Sequence, residues 1–165
     1  MNITTKKRLF SEIRARNETD TTLIEGTADA DILYLLETTG HVTAHMRAGD
    51  DTVELYGLAD YRVDLGNGAD TLLIDTVGDV TALGGKGDDV FEVEEMGAHH
   101  LKGQGGVDLV SFASLGDRVI ADMVEGEVRS GSETMKITSI ENLRGSAFGD
   151  VVRGNDGANV IEGLD

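Results

Sequence analysis

Gly84-Gly85-Lys86-Gly87-Asp88-Asp89-Val90-Phe91-Glu92 decides the reading of this chain. A glycine-rich turn delivers an aspartate, and an extended, apolar-containing segment follows at once. Working outward, Asp89 has counterparts at Asp31, Asp51, Asp70 and Asp108, at successive steps of 20, 19, 19 and 19 residues. Two residues before each of the last four stands a glycine: Gly49, Gly68, Gly87 and Gly106. A sustained period of this length predicts stacked coils, each too small to fold alone.

Aligning on the aspartate exposes fixed columns. Two residues after it come Leu33, Val53, Leu72, Phe91 and Val110, and four after it Leu35, Leu55, Ile74, Val93 and Phe112. The position between them is mixed: Tyr34, Glu54, Leu73, Glu92, Ser111. Period-two alternation with one apolar face predicts a half-buried strand. A second strand precedes each loop, with Ala44, Val63, Ala82, Leu101 and Val42, Tyr61, Val80, His99 facing inward. Each coil therefore holds two short strands and two turns, the far turn marked by Gly40, Gly57, Gly78 and Gly97. The expected fold is all-β, a parallel β-roll or solenoid with coils of about 19 residues over residues 19–113.

The ends read differently. Residues 1–18 hold five of the 14 basic residues, and Leu9, Phe10 and Ile13 share a rough helical face behind Thr4 or Thr5. A short helical cap over the first coil is the expectation there. Residues 114–165 predict a more irregular β segment. Val119, Ala121 and Met123 alternate, Glu125-Gly126-Glu127 reads as a turn, and Leu143, Val152 and Ile161 keep a nine-residue beat. The chain stops at Gly163-Leu164-Asp165, inside what would be another repeat, which reads as a fragment or an interrupted array.

Composition narrows the function. Acidic residues outnumber basic ones 31 to 14, for a formal charge of −17. That balance argues against nucleic acid or an anionic membrane as partner. No cysteine is present, so disulfides and thiolate metal sites are excluded. There is no proline, which suits stacked strands. No apolar run approaches a membrane span, and Lys6-Lys7-Arg8 is followed by only Leu9-Phe10 before Ser11-Glu12, so no cleaved leader is read. No H-E-x-x-H, Ser-His-Asp arrangement or phosphate loop appears, and the reading is not an enzyme. His45, His99 and His100 are read as structural or surface residues.

A carboxylate repeated once per coil builds a column of oxygen donors, and such a column needs a cation. Glycines allow the backbone to turn carbonyl oxygens toward one point. Calcium takes six to eight hard oxygen ligands and accepts carbonyls. The stretch from Gly84 to Glu92 fits G-G-x-G-x-D-x-U-x at every defined position, with weaker copies at Leu65–Leu72, Arg47–Val53 and Gly103–Val110. Gly26-Thr27-Ala28-Asp29-Ala30-Asp31 is an edge copy. The chain thus resembles the RTX (repeats-in-toxin) calcium-binding family of secreted bacterial proteins. Ile140-Glu141-Asn142-Leu143-Arg144-Gly145-Ser146 resembles the stretch that leads into such arrays.

The resemblance implies a parallel β-roll with calcium held by loop carbonyls and the sixth-position aspartate. Carried onto this sequence, the ligands are Asp51, Asp70, Asp89 and Asp108, with Asp31 at the edge. The carbonyls are those near Gly49, Gly66, Gly68, Gly85, Gly87, Gly105 and Gly106. One departure from the family is that the loop occurs once per coil, so calcium is expected along one edge only. The expected function is a calcium-binding structural module, extracellular or at the cell surface, exported by a type I route and folded or stabilised by extracellular calcium. The alternatives are a non-catalytic fragment of an extracellular peptidase, lipase or polysaccharide-modifying enzyme, or a segment of a surface adhesin. The protein or glycan partner is left open.

Overall fold

A computed structural model of the chain describes residues 6–8, 12–16 and 22–164. The first strands in order are β1 (Lys6–Arg8), β2 (Glu12–Arg16), β3 (Thr22–Glu25), β4 (Ile32–Thr38), β5 (His41–His45) and β6 (Thr52–Gly57). Then come β7 (Asp60–Asn67), β8 (Thr71–Thr76), β9 (Val80–Lys86), β10 (Val90–Val93), β11 (His100–Gly105) and β12 (Leu109–Ser111). The C-terminal part holds β13 (Ile120–Asp122), β14 (Glu127–Ser130), β15 (Glu133–Thr138), β16 (Asn142–Arg144), β17 (Val151–Arg153) and β18 (Ile161–Glu162).

Up to β12 the chain alternates between two sheets, odd strands in one and even strands in the other, all paired in parallel. This is a β-solenoid. Register confirms the columns: Leu33 pairs with Val53, Val53 with Leu72, Leu72 with Phe91, and Phe91 with Val110. All ten apolar column residues are buried, and Phe91 and Phe112 are the largest fully buried side chains. The inward column of the other sheet, Val42, Tyr61, Val80 and His99, is buried as well.

The helical cap is not what forms at the N-terminus. β1 and β2 are strands, and they make a first coil: Lys6–Arg8 pair in parallel with Leu23–Glu25, and Glu12–Arg16 with Ile32–Leu36. The reason lies in register. Ile13 and Ala15 pair in register with Leu33 and Leu35, so the period-two sequence pattern continues that of the next strand. Three apolar residues at helical spacing are too few to outweigh an open sheet edge that offers backbone partners. Thr4, Thr5, Leu9 and Phe10 lie outside the described residues.

After β12 the alternation breaks. β13, β14 and β15 form an antiparallel meander within the odd sheet, β15 pairs in parallel with β11, and β17 adds in parallel to β13. The even sheet meanwhile gains only β16 and β18. Past β11 the odd sheet therefore runs two strands further than the even one, about 10 Å at the usual strand spacing. The core continues through Val119, Val128, Met135 and Leu143, all buried.

Because each coil is thin, one large side chain carries much of its burial. Phe91→Ala is expected to cost roughly 3–5 kcal/mol. Urea unfolding should show it as a lower midpoint with an unchanged slope; an unchanged midpoint would mean the columns do not hold the fold.

Candidate metal centre

From β3 to β12 the loops joining odd to even strands lie along one edge, and each ends in the repeating aspartate. Its side chain lies on the inward side, in phase with the apolar residues two and four places later. Asp31, Asp51, Asp70, Asp89 and Asp108 are all buried, at most 1% exposed. They are joined coil to coil. The amide of Asp31 donates to Asp51 Oδ1 at 2.7 Å, that of Asp51 to Asp70 Oδ1 at 2.7 Å, that of Asp70 to Asp89 Oδ1 at 3.0 Å, and that of Asp89 to Asp108 Oδ1 at 2.9 Å.

The second oxygen divides the loops into two kinds. In the loop between β3 and β4, Asp31 Oδ2 accepts from the Thr27 amide at 2.7 Å and from its hydroxyl at 3.1 Å. Asp150 Oδ2 likewise accepts from the Ser146 amide at 2.7 Å, and Asn159 Oδ1 from the Asn155 amide at 2.9 Å. These loops close on themselves through the residue four before the acid or amide. Asp51, Asp70, Asp89 and Asp108 differ, because Oδ2 of each is buried with no hydrogen-bond partner. Their residues four places earlier are Arg47, Gly66, Gly85 and Gln104, and all have positive φ, 81°, 106°, 117° and 80°.

Four unpartnered buried carboxylate oxygens are costly. Burial pushes the Asp51 and Asp89 carboxyls up to about 7, assisted by neighbouring aspartates. Burial also raises Asp70 and Asp108, with Asp50 repelling the former and Glu141 the latter. Each is held down in part by the amide it accepts from the preceding coil.

The predicted glycines line this edge. Gly49, Gly68, Gly87 and Gly106 have φ between 113° and 144° and stack, since a methyl group on each of the last three would overlap the carbonyl oxygen of the glycine before it. Gly66 and Gly85 stack in the same way. Gly105 is different: its φ is not in the positive region, its carbonyl accepts the Gly87 amide at 2.9 Å, and Gln104 takes the place equivalent to Gly85. At Gly84 a methyl group would meet Asp89 Oδ2 and, at 2.7 Å, the Gly103 carbonyl. That glycine lets the orphaned oxygen and the Gly103 carbonyl both approach its backbone closely. The equivalent positions in the two preceding loops hold Met46 and Leu65, both fully buried.

Among the described residues no three His, Cys, Asp or Glu side chains converge to hold a metal. An ion on this edge would take one or two carboxylates and complete its shell with loop carbonyls, a donor set for a hard cation. Asp31 is a poor donor because Thr27 satisfies it. Of the histidines, His99 is buried and accepts the Val80 amide at Nδ1 at 3.3 Å, with Nε2 3.2 Å from the Glu95 carbonyl. Burial lowers its pKa, and it serves as a core residue. Sequence reading missed Glu141, whose Oε2 accepts the Asp108 amide at 2.9 Å. The signal was its place one residue before the strand that follows, matching each aspartate.

The pH response without divalent cations follows from these shifts. The Asp51 and Asp89 carboxyls titrate in the folded state above their unfolded value of 3.8, so their protonation stabilises the fold, fully below pH 3.8 and not at all above about 7. In chelator the melting temperature should rise between pH 7.5 and pH 5; a fall would show that these aspartates are not buried as described. A scan against protein-family models finds no match, and neither do searches of the curated proteins and of the solved structures.

Proposed function

We propose that this chain is a non-catalytic calcium-binding module whose parallel β-solenoid is stabilised by ions along the aspartate edge. The observation that carries the reading is the set of orphaned oxygens on Asp51, Asp70, Asp89 and Asp108, each buried beside a glycine loop rich in carbonyls. The ions would be held by those carboxylates with carbonyls near Gly49, Gly66, Gly68, Gly85, Gly87 and Gly106. A bound cation supplies the charge that offsets stacked carboxylates, and nothing else is asked of it. Hard oxygen donors without imidazole or thiolate favour calcium over zinc or copper.

The mechanism is coupling of binding to folding. Without the cation the acidic chain carries unpaired buried charge and is loosened; with it the folded state is stabilised by mass action. Affinity of roughly 10⁻⁴–10⁻³ M, as in extracellular modules, would leave the chain loose in a low-calcium cytosol and folded outside. The resemblance of the nonapeptide loops to RTX proteins supports secretion by a type I route as the setting in which such a switch operates. No helix among the described residues is long and apolar enough to cross a membrane.

Calcium titrated into chelator-stripped protein, followed by far-UV circular dichroism with magnesium as control, tests this. A cooperative, calcium-specific gain of β signal is expected at neutral pH. Asp89→Asn should weaken the calcium response and raise the stability of the metal-free form, since it removes a buried charge and keeps the Oδ1 acceptor. No calcium response in the wild type would overturn the proposal.

A further inference from the structure

The aspartate column does not end where the repeat ends. The Asp108 amide donates to Glu141 Oε2 at 2.9 Å, just as the Asp89 amide donates to Asp108 Oδ1. Glu141 stands in the aspartate register, because Leu109 pairs with Asn142 as Val90 pairs with Leu109. The loop that delivers it is shorter. Lys102 pairs with Thr138, so Ser139 corresponds to Gly103, yet Ser139 is two residues from Glu141 while Gly103 is five from Asp108. Glutamate's extra methylene suits that shorter approach.

Two further observations point to a ligand here. Asp108 Oδ2 is buried with no partner. A methyl group on Gly103 would overlap both that oxygen and the Ser139 carbonyl, so glycine is what lets the two oxygens converge on one point of the backbone. One coil earlier the same pair is Asp89 Oδ2 and the Gly103 carbonyl around Gly84. Ser139 itself holds φ of 51°, a region that non-glycine residues enter at a cost and that clusters at ligand sites.

We infer that Asp108, Glu141 and the Ser139 carbonyl form one more calcium site, at the seam between the regular coils and the C-terminal strands. It rests on the calcium reading above and extends it to a residue outside the glycine-aspartate loops. The seam is wired to the tail. The Glu141 carbonyl accepts from Asn159 Nδ2 at 2.8 Å, and Asn142 Oδ1 accepts the Val160 amide at 2.9 Å. An ion held by Glu141 therefore fixes β18 as well as the last regular coil.

Equilibrium dialysis with calcium, on wild type and Glu141→Gln, tests the site, alongside amide exchange. The variant should bind one ion fewer, and calcium should no longer slow exchange across 141–144 and 160–162. Equal stoichiometry and equal affinity in the two proteins would overturn this inference and leave the calcium reading standing. A wild type that binds no calcium would overturn both. Should Glu141→Gln fail to fold, wild-type exchange decides. Calcium-dependent slowing at the Asp108 and Asn142 amides supports the seam site; slowing confined to residues 47–90 overturns it.

Discussion

Everything on the loop edge follows from a carboxylate that is buried and only half satisfied. One oxygen of Asp51, Asp70, Asp89 and Asp108 accepts an amide from the preceding coil, which fixes the stacking distance and register of the loops. The other oxygen has no partner in four successive coils. Hydrogen bonding lowers the cost of the charge, and burial and like neighbours raise it. The second effect wins, since the Asp51 and Asp89 carboxyls are pushed up to about 7. The arrangement is thus incomplete at neutral pH unless a proton or a cation supplies positive charge.

Other parts of the molecule show how the same loop is completed without an ion. Thr27 and Ser146 turn their amides onto Asp31 and Asp150, and Asn155 does so onto Asn159. The backbone chooses between the two outcomes at that one residue. A positive φ there, as at Gly66 and Gly85, goes with an orphaned oxygen. Arg47 and Gln104 hold the same conformation despite having side chains, a strain of order 1–3 kcal/mol each. That cost is tolerated where the coils on either side over-determine the loop.

Much of this was legible in the sequence. The aspartate period set the coil, and alternation at Leu33/Leu35 through Val110/Phe112 set the inward face. The spacing places the aspartates on the loop edge; that their side chains are buried on the inward side, in phase with those apolar residues, comes from the structure. What was not legible has physical reasons. Ile13 and Ala15 carry too short an apolar pattern to separate strand from helix, and only the neighbouring strand resolved it. The meander of β13, β14 and β15 comes between Asp108 and Glu141, so a fixed spacing could not reveal that the two are neighbours. Gly105 and Gly106 adjoin, and only φ distinguishes which one occupies the stacked position.

The bonds of the aspartate column all point one way along the chain. Each amide finds its acceptor on a residue about one coil later in sequence, and the last finds it on Glu141. A coil leaving the ribosome therefore exposes an amide whose acceptor has not yet been synthesised. The joint between two neighbouring coils can close only once the later of them exists. At each joint a backbone bond runs the other way, from the amides of Thr52, Thr71, Val90 and Leu109 to the carbonyls of Asp31, Asp51, Asp70 and Asp89, so every aspartate is tied to its neighbour in both directions.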